Sequence, residues 1–164
     1  NQLTYLPTAF WDLTSLDLLD LNSNQLTTIP VEIGNFINLR EELSFGSNKL
    51  RSLPWAALGR LTSLTCLCLY DNQLTSIPAE IGELTSLEGL HLSVNQLTSI
   101  PAEVSKLSSL KRLELSGNQL TSLPEEIGEL ASLESLYLNN NRLTEADVLL
   151  CESWAEYVRL DGNP

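Results

Sequence analysis

The chain has 164 residues, of which 18% are charged, and its formal net charge at pH 7 is −12. This acidic balance argues against binding to a nucleic-acid backbone, which needs clustered Lys and Arg, and it disfavours anionic membranes. A protein partner with a basic surface would instead be attracted to the chain.

One residue type, asparagine, recurs at a nearly fixed spacing. The spacing is 23 or 24 residues until a last step of 22, and the positions are Asn24, Asn48, Asn72, Asn95, Asn118, Asn141 and Asn163. Each belongs to one repeated phrase, complete in residues 87–101 as Leu-Glu-Gly-Leu-His-Leu-Ser-Val-Asn-Gln-Leu-Thr-Ser-Ile-Pro. A fixed period of this length predicts a solenoid, in which each unit buries its apolar side only against its neighbours.

Within each repeat, the leucine spacing predicts a short strand. Leu90 and Leu92 lie two residues apart, so both side chains of an extended segment point to one face. The same spacing occurs in the pairs Leu67/Leu69, Leu113/Leu115 and Leu136/Leu138. Because an amide side chain carries both donors and an acceptor, we expect the Asn column to satisfy backbone groups where the strands bend away.

The segment after each strand predicts a turn and a short helix. Ile81 and Leu84 have the three-residue spacing of a helical turn. Proline suits the start of this convex segment, because its φ is fixed and it has no N–H, and it occupies one phase at Pro7, Pro30, Pro54, Pro78, Pro101 and Pro124. Glycine occupies a second phase at Gly34, Gly82 and Gly128, where we expect a turn or a close contact between coils.

Two features near the N-terminus depart from the repeat. Phe10 and Trp11 are expected to shield part of the N-terminal end. One extra residue within 40–42 predicts a bulge before a strand, and another near 55–57 lies on the convex side.

The last unit also departs from the repeat and predicts a longer helix that covers the C-terminal end. Thr144 and Asp147 form an N-cap signal, and an apolar stripe follows, either Val148, Cys151 and Trp154 or Leu149 and Leu150. We therefore predict a single domain over 1–164 of about seven coils, with regular repeats over 1–143 and a modified capping repeat over 144–164. Because the chain begins within a repeat and without Met, we expect it to be part of a longer protein.

The phrase Leu-x-x-Leu-x-Leu-x-x-Asn-x-Leu, followed by Ile/Leu-Pro-x-Glu-Ile-Gly-x-Leu, resembles the leucine-rich repeat family over essentially the whole chain. Its length is similar to that of the 23-residue intracellular subclass, which includes the plant Ras-group-related proteins and similar bacterial and protist scaffolds. The resemblance implies an α/β fold, a right-handed solenoid with a concave parallel β-sheet and short helical or 3-10 convex segments. It also implies protein partners of the small-GTPase, phosphatase or kinase type.

The cysteines indicate a reducing location. Extracellular members of the leucine-rich repeat family usually carry cysteine-clustered caps, whereas the three cysteines here form no framework, and no Asn-x-Ser/Thr sequence occurs. We therefore predict a cytoplasmic protein, with a secreted effector as the alternative. No apolar run approaches the length of about 18 residues that predicts a membrane span.

Residues between the inward leucines are expected to point outward onto the concave sheet. The central column reads Asp20, Ser44, Cys68, His91, Glu114, Tyr137 and Arg159. The column two residues later reads Asn22, Gly46, Tyr70, Ser93, Ser116, Asn139 and Asp161, and the column two residues earlier reads Leu18, Glu42, Cys66, Gly89, Arg112, Ser135 and Tyr157. The predicted protein-binding residues are Asp20, Asn22, Glu42, Cys66, Cys68, Tyr70, His91, Ser93, Arg112, Glu114, Tyr137, Asn139, Tyr157 and Arg159.

The contrast between the two sides of the repeat supports a binding role for the concave face. On the convex flank the pair Thr-Ser recurs at 75–76, 98–99 and 121–122, whereas the concave columns vary from unit to unit. Duplication followed by change at a recognition surface produces this contrast. The varied columns also contain Tyr and Arg, which are enriched in interface hot spots.

Two further hypotheses concern neighbouring positions of the concave sheet. Cys68, His91 and Glu114 occupy one phase of three strands, which makes a Cys–His–carboxylate row conceivable. An open sheet offers no oxyanion hole or water-excluding pocket, so we predict no enzyme activity and no catalytic residue. Cys66, Cys68 and His91, completed by Glu114, are a candidate soft-metal site. Because Cys-x-Cys spacing on a rigid strand is unfavourable for a tetrahedron, we predict no metal and no cofactor.

The sequence therefore predicts a non-catalytic protein–protein interaction module that binds a protein partner on its concave face, as a scaffold or adaptor. One alternative is a sensing or targeting domain of a larger enzyme or secreted effector, which the full-length reading frame would reveal. Another is a self-associating structural repeat, which sedimentation across a concentration series would reveal. We expect a monomer or weak dimer that binds neither nucleic acid nor membrane.

Overall fold

A computed structural model describes residues 1–151 and 153–164, with the side chain of Leu150 excluded. Within these residues, seven strands form one parallel sheet in sequence order. They are β1 Leu19–Asp20, β2 Glu42–Ser44, β3 Cys66–Cys68, β4 Gly89–His91, β5 Arg112–Glu114, β6 Ser135–Tyr137 and β7 Tyr157–Arg159. The predicted α/β solenoid with one parallel sheet is confirmed.

Short helices fill the connections between the strands. The described 3-10 helices are Thr8–Asp12, Val31–Asn35, Ala79–Glu83, Ala102–Lys106 and Glu125–Glu129, and the α-helices are α1 Trp55–Leu58 and α2 Glu145–Cys151. A proline immediately precedes α1 and each 3-10 helix, as the repeat phase predicts. None of these helices combines the length and the apolar composition needed to cross a bilayer.

The two extra residues found in the sequence have separate structural effects. At the convex position, α1 stands where five other coils have a 3-10 helix. Before β2, the carbonyls of Arg40 and Glu41 accept separately from the next coil, whereas a single carbonyl, that of Glu88, accepts two N–H groups at the start of β5. This additional backbone unit is the predicted bulge.

The inward leucines of successive coils form one continuous core. The strand register pairs Leu67 with Leu90 and Leu90 with Leu113, and all three side chains are fully buried. On the convex side the coils approach so closely that a Cβ added to Gly82 would stand 2.7 Å from the carbonyl oxygen of Glu103. This close approach explains the glycine at that phase.

The asparagine column satisfies the backbone where the strands end. Asn95 Oδ1 accepts from the N–H of Leu74 at 3.0 Å, and its Nδ2 donates to the carbonyls of Leu69 at 2.9 Å and Leu92 at 3.1 Å. The same pattern holds for Asn48, Asn72, Asn118 and Asn141. Among the described residues, no buried side-chain nitrogen or oxygen lacks a partner. The predicted role of the asparagines is confirmed.

Aromatic side chains and a capped helix stand at the two ends of the solenoid. At the N-terminal end the ring of Trp11 stacks on Phe36 with centroids 5.8 Å apart, and Phe10 lies edge-on to both. At the other end the N–H of Asp147 donates to Thr144 Oγ1 at 3.4 Å, and the N–H of Thr144 donates to Asp147 Oδ2 at 3.1 Å. This reciprocal cap starts α2 where the sequence predicts a helix.

Of the two apolar stripes predicted from the sequence, the one formed by Val148, Cys151 and Trp154 faces the core. Cys151 is fully buried, and Val148 and Trp154 pack against the core cluster. Leu149, from the second stripe, is exposed, and the side chain of Leu150 lies outside the described residues.

The residue before each of the seven repeating asparagines adopts a left-handed backbone. These residues, with φ between 52° and 77°, are Ser23, Ser47, Asp71, Val94, Gly117, Asn140 and Gly162. Val94 is the one β-branched residue among these seven, and β-branched residues strongly disfavour the left-handed region. Its φ is 56° and its side chain is 56% exposed, so it stores backbone strain without burying much apolar surface.

Val94→Asn is expected to raise the free energy of unfolding by about 1 kcal/mol, since asparagine tolerates the left-handed region and already occupies it at Asn140. Chemical denaturation of the two proteins measures the difference. The control is Val31→Asn at an exposed valine with ordinary φ, where no gain is expected. Equal changes for both variants would contradict strain at Val94.

Candidate functional site

The strands place the predicted binding columns side by side. The sheet face is defined here as the surface formed by the three outward columns of β1–β7. On its central column, Cys68 pairs with His91, His91 with Glu114, and Glu114 with Tyr137. Side chains that are more than twenty residues apart in the chain are therefore direct neighbours on this surface.

The predicted binding residues differ in their exposure. Asp20, Arg112, Tyr157 and Arg159 are exposed, Cys68 is buried at 9% exposure, and the half-buried residues are Asn22, Glu42, Cys66, Tyr70, His91, Ser93, Glu114, Tyr137 and Asn139. The ring of Tyr70 lies across Gly46, since a Cβ added there would stand 2.4 Å from the ring. Ser44, beside Cys68, is fully buried. The sheet face is therefore more closed over β2 and β3 than over β5–β7.

Aromatic and basic side chains line the last three strands. The guanidinium carbon of Arg112 lies 4.7 Å from the ring centroid of Tyr137, and the rings of Tyr137 and Tyr157 are 5.5 Å apart between centroids. Arg159 Nε donates to Asp161 Oδ1 at 2.9 Å. Arg112, Tyr137, Tyr157 and Arg159 are called the Tyr–Arg cluster below. It combines a cation–π contact with a tilted aromatic pair on three adjacent strands.

Glu114 joins this cluster to His91. Its Oε1 accepts from Arg112 Nε at 2.7 Å, and its Oε2 accepts from His91 Nδ1 at 2.9 Å. The hydrogen bond to Glu114 raises the pKa of His91, and the same bond lowers the pKa of Glu114. Because Nδ1 carries the proton in this hydrogen bond, the other ring nitrogen, Nε2, is the acceptor of the neutral imidazole.

Two thiols lie beside the imidazole. The Sγ atoms of Cys66 and Cys68 are 3.6 Å apart, and with one ring nitrogen of His91 they form a group whose atoms all lie within 4.8 Å of one another. The thiol–thiol contact lowers the pKa of Cys66 and raises that of Cys68.

Three polar residues outside the predicted set complete the hydrogen bonding of the sheet face. Ser44 Oγ donates to Asn22 Oδ1 at 2.9 Å, and Ser116 Oγ donates to Asn139 Oδ1 at 2.6 Å. Asp161 is the carboxylate partner of the last arginine. All three lie in the outward columns, and this position in the repeat was the only feature of the sequence that could have indicated their part in the sheet face.

Comparison with known proteins identifies the class of the chain. Residues 42–150 match the family model described as a leucine-rich repeat region, and residues 15–36 match the model described as Leucine Rich Repeat. The chain belongs to the leucine-rich repeat family. None of the curated proteins matches it.

Solved structures of similar fold come from bacteria and a plant. An internalin (inlF) from Listeria monocytogenes is 26% identical with a TM-score of 0.83, covering 94% of this chain and 44% of that one. A leucine-rich repeat protein of Leptospira interrogans is 32% identical with a TM-score of 0.57, covering 100% and 53%. The leucine-rich repeat ectodomain of the Arabidopsis thaliana membrane receptor kinase GASSHO1/SCHENGEN3, solved in complex with CASPARIAN STRIP INTEGRITY FACTOR 2, is 35% identical with a TM-score of 0.80, covering 94% and 19%. The chain thus spans about half or less of each of these structures.

Proposed function

We propose that this chain is a non-catalytic recognition module that binds a protein partner on the sheet face, as a scaffold or adaptor. The observation that carries the proposal is the Tyr–Arg cluster on β5–β7. Leucine-rich repeat folds are commonly protein-interaction modules, and their function lies in the side chains that the repeats display.

The cluster has the composition and the order of a binding hot spot. Arg112 is held between Glu114 and Tyr137, and Tyr137 is held between Arg112 and Tyr157. Side chains that are already ordered lose little conformational entropy when a partner binds. Tyr and Arg also supply large contact areas and bidentate hydrogen bonds, which makes them frequent hot-spot residues.

The charges favour a partner with a basic surface. The chain has 21 acidic side chains against 9 Lys and Arg. Within the cluster, Arg112 and Arg159 each pair with a carboxylate of the sheet face, Glu114 and Asp161 respectively. These internal pairs leave the net acidic field of the protein in place, and such a field accelerates association with a basic partner.

One structural relative supports recognition as the role. The plant ectodomain was solved in complex with CASPARIAN STRIP INTEGRITY FACTOR 2, which is a property of that receptor. For this chain we propose binding of a protein partner whose identity remains to be found. We also propose a cytoplasmic location, because free thiols are typical of reducing compartments and the three cysteines are free, namely Cys66, Cys68 and Cys151.

Tyr137→Ala and Arg159→Ala are each expected to weaken partner binding at least about tenfold, since loss of a hot-spot side chain costs about 2 kcal/mol or more. The partner is first isolated by affinity capture with the parent protein and identified by mass spectrometry. Its dissociation constant is then measured for each variant by calorimetry. The melting temperature should change little, because Tyr137 is only half-buried and Arg159 is exposed.

The matched controls carry the same substitutions away from the sheet face. Tyr5 is 76% exposed at the N-terminal end, and Arg60 is exposed after α1 on the convex side. Tyr5→Ala and Arg60→Ala should bind the partner like the parent. If these controls lose as much affinity as the cluster variants, the binding surface lies elsewhere.

A further inference from the structure

A cluster of two thiols and an imidazole on β3 and β4 lies outside the Tyr–Arg cluster that carries the proposed function. We propose that Cys66, Cys68 and His91 form a Zn²⁺ site on the sheet face, with Glu114 orienting the imidazole of His91. This proposal goes beyond the proposed function and does not depend on it. It also departs from the prediction, made from the sequence, that the chain holds no metal.

The separation of the two sulfurs fits one tetrahedral ion, and the imidazole nitrogen lies close to them. The Sγ atoms of Cys66 and Cys68 are 3.6 Å apart, and the three ligand atoms all lie within 4.8 Å of one another. Two sulfurs on a tetrahedral Zn²⁺, each at about 2.3 Å, are about 3.8 Å apart. The two thiols on one short strand therefore already have nearly the separation that the ion requires, although Cys-x-Cys spacing on a strand was expected to prevent it.

The imidazole is oriented as a metal ligand. Nδ1 of His91 is occupied by the hydrogen bond to Glu114 Oε2 at 2.9 Å, so Nε2 is the nitrogen that is available to the ion. A carboxylate that accepts from the non-ligating nitrogen is the usual outer partner of a zinc-bound histidine. Glu114 is itself fixed by Arg112 Nε at 2.7 Å, so the ring is held before any ion binds.

A glycine makes room for the ligand atoms. A Cβ added to Gly89 would stand 3.1 Å from His91 Nε2 and 3.4 Å from Cys66 Sγ. The ring nitrogen and the thiol therefore meet over the bare backbone of β4. The corresponding positions on the adjacent strands β3 and β5 are Cys66 and Arg112, so Gly89 is the position without a side chain among these three.

The chemistry of the three donors selects the ion. Thiolate and imidazole ligands prefer Zn²⁺ and other soft or borderline ions over Mg²⁺ and Ca²⁺, which prefer oxygen. Zinc binding releases the thiol protons, so the affinity of the site should fall as the pH is lowered. With three protein ligands the ion keeps one open position, which water or a side chain of a bound partner fills.

The test uses reduced, tag-free protein that has been freed of metal with a chelator. Zn²⁺ is titrated in competition with a chromophoric chelator, in the presence of excess Mg²⁺ and Ca²⁺ so that surface carboxylates do not contribute. We expect about one Zn²⁺ per chain, because the described residues hold one such three-ligand cluster. Co²⁺ in place of Zn²⁺ should give sulfur-to-cobalt charge-transfer bands and the intense visible bands of a tetrahedral ion.

Variants locate the ion and keep the test independent of folding. Cys66→Ser and Cys68→Ser introduce the residue that β6 and β2 carry at the same register positions, Ser135 and Ser44, so both should fold like the parent by circular dichroism. Each should weaken Zn²⁺ binding more than tenfold and remove charge-transfer intensity. Glu114→Gln should weaken it about 10- to 100-fold with the thiolate bands retained, as expected for a positioning residue.

The matched control is the third thiol. Cys151 is fully buried in α2, where burial raises its pKa to about 12, and Cys151→Ala should bind Zn²⁺ like the parent. The proposal is overturned if the reduced parent protein binds no Zn²⁺ under these conditions. It is equally overturned if folded Cys66→Ser and Cys68→Ser bind the ion as tightly as the parent. Partner binding is measured separately, so either proposal can fail without the other.

Discussion

Leu113→Ala is expected to lower the free energy of unfolding by about 2–5 kcal/mol, the range found for large-to-small changes in a packed core. Leu113 is fully buried on β5, and the register places it between Leu90 and Leu136. Its truncation leaves a cavity shared by three coils. Because a solenoid is stabilised mainly by contacts between neighbouring repeats, this loss affects both interfaces of the central coil. Chemical denaturation followed by circular dichroism measures the effect.

The matched control for this prediction is an exposed leucine. Leu149 on α2 is 66% exposed, and Leu149→Ala should change the free energy of unfolding by less than about 0.5 kcal/mol. A Leu113→Ala protein that unfolds at the same denaturant concentration as the parent would show that the inward phase of the repeat is wrong.

Asn95→Ala is expected to lower the free energy of unfolding by at least about 2 kcal/mol, because each buried polar group left without a partner costs roughly 1–3 kcal/mol. Asn95 is only 7% exposed. Its side chain accepts a hydrogen bond from the N–H of Leu74 and donates to the carbonyls of Leu69 and Leu92, and alanine can form none of these bonds. The affected groups belong to two adjacent coils, so the substitution weakens the contact between repeats as well as one turn.

The control is an asparagine outside the repeating column. Asn38 is exposed, and its Nδ2 donates to the carbonyl of Thr14 at 2.9 Å. Asn38→Ala should be nearly neutral, because water can replace an exposed hydrogen bond. Similar losses for Asn95→Ala and Asn38→Ala would mean that the column has no special part in stability.

The fold could be predicted from the sequence because the repeat of 23 or 24 residues determines both the strands and their register. Leu90 and Leu92 alternate with outward residues, and the same alternation at the same phase in neighbouring units defines the register of the sheet. The role of Asn95 followed from the chemistry of an amide at the end of a strand. These inferences required only backbone geometry and the repeat, so they could be made before any coordinates.

The arrangement of side chains on the sheet face could not be predicted in the same way. The columns placed His91 beside Glu114, but the rotamers that also bring Arg112 to Glu114 and onto Tyr137 depend on contacts along and across strands. Gly89 shows most clearly what the sequence could not predict. Its position in an outward column follows from the repeat, but only the structure shows that the thiol of Cys66 and the imidazole of His91 come together above it.

The degree of burial of each residue on the sheet face also could not be predicted from the sequence. Cys68 was predicted as part of the binding surface, yet it is only 9% exposed. Its neighbours explain this, because Cys66 Sγ contacts it on the same strand and the fully buried Ser44 pairs with it on β2. Outward direction in a strand therefore does not by itself give access to a partner.

The most direct test of the account compares two double variants in their affinity for the captured partner. Tyr137→Ala/Arg159→Ala removes two members of the Tyr–Arg cluster, and Tyr5→Ala/Arg60→Ala makes the same chemical changes elsewhere on the surface. We predict that the first raises the dissociation constant at least about 100-fold, from about 1.4 kcal/mol or more per side chain, while the second leaves it unchanged. Equal dissociation constants for the two proteins would contradict recognition through the sheet face.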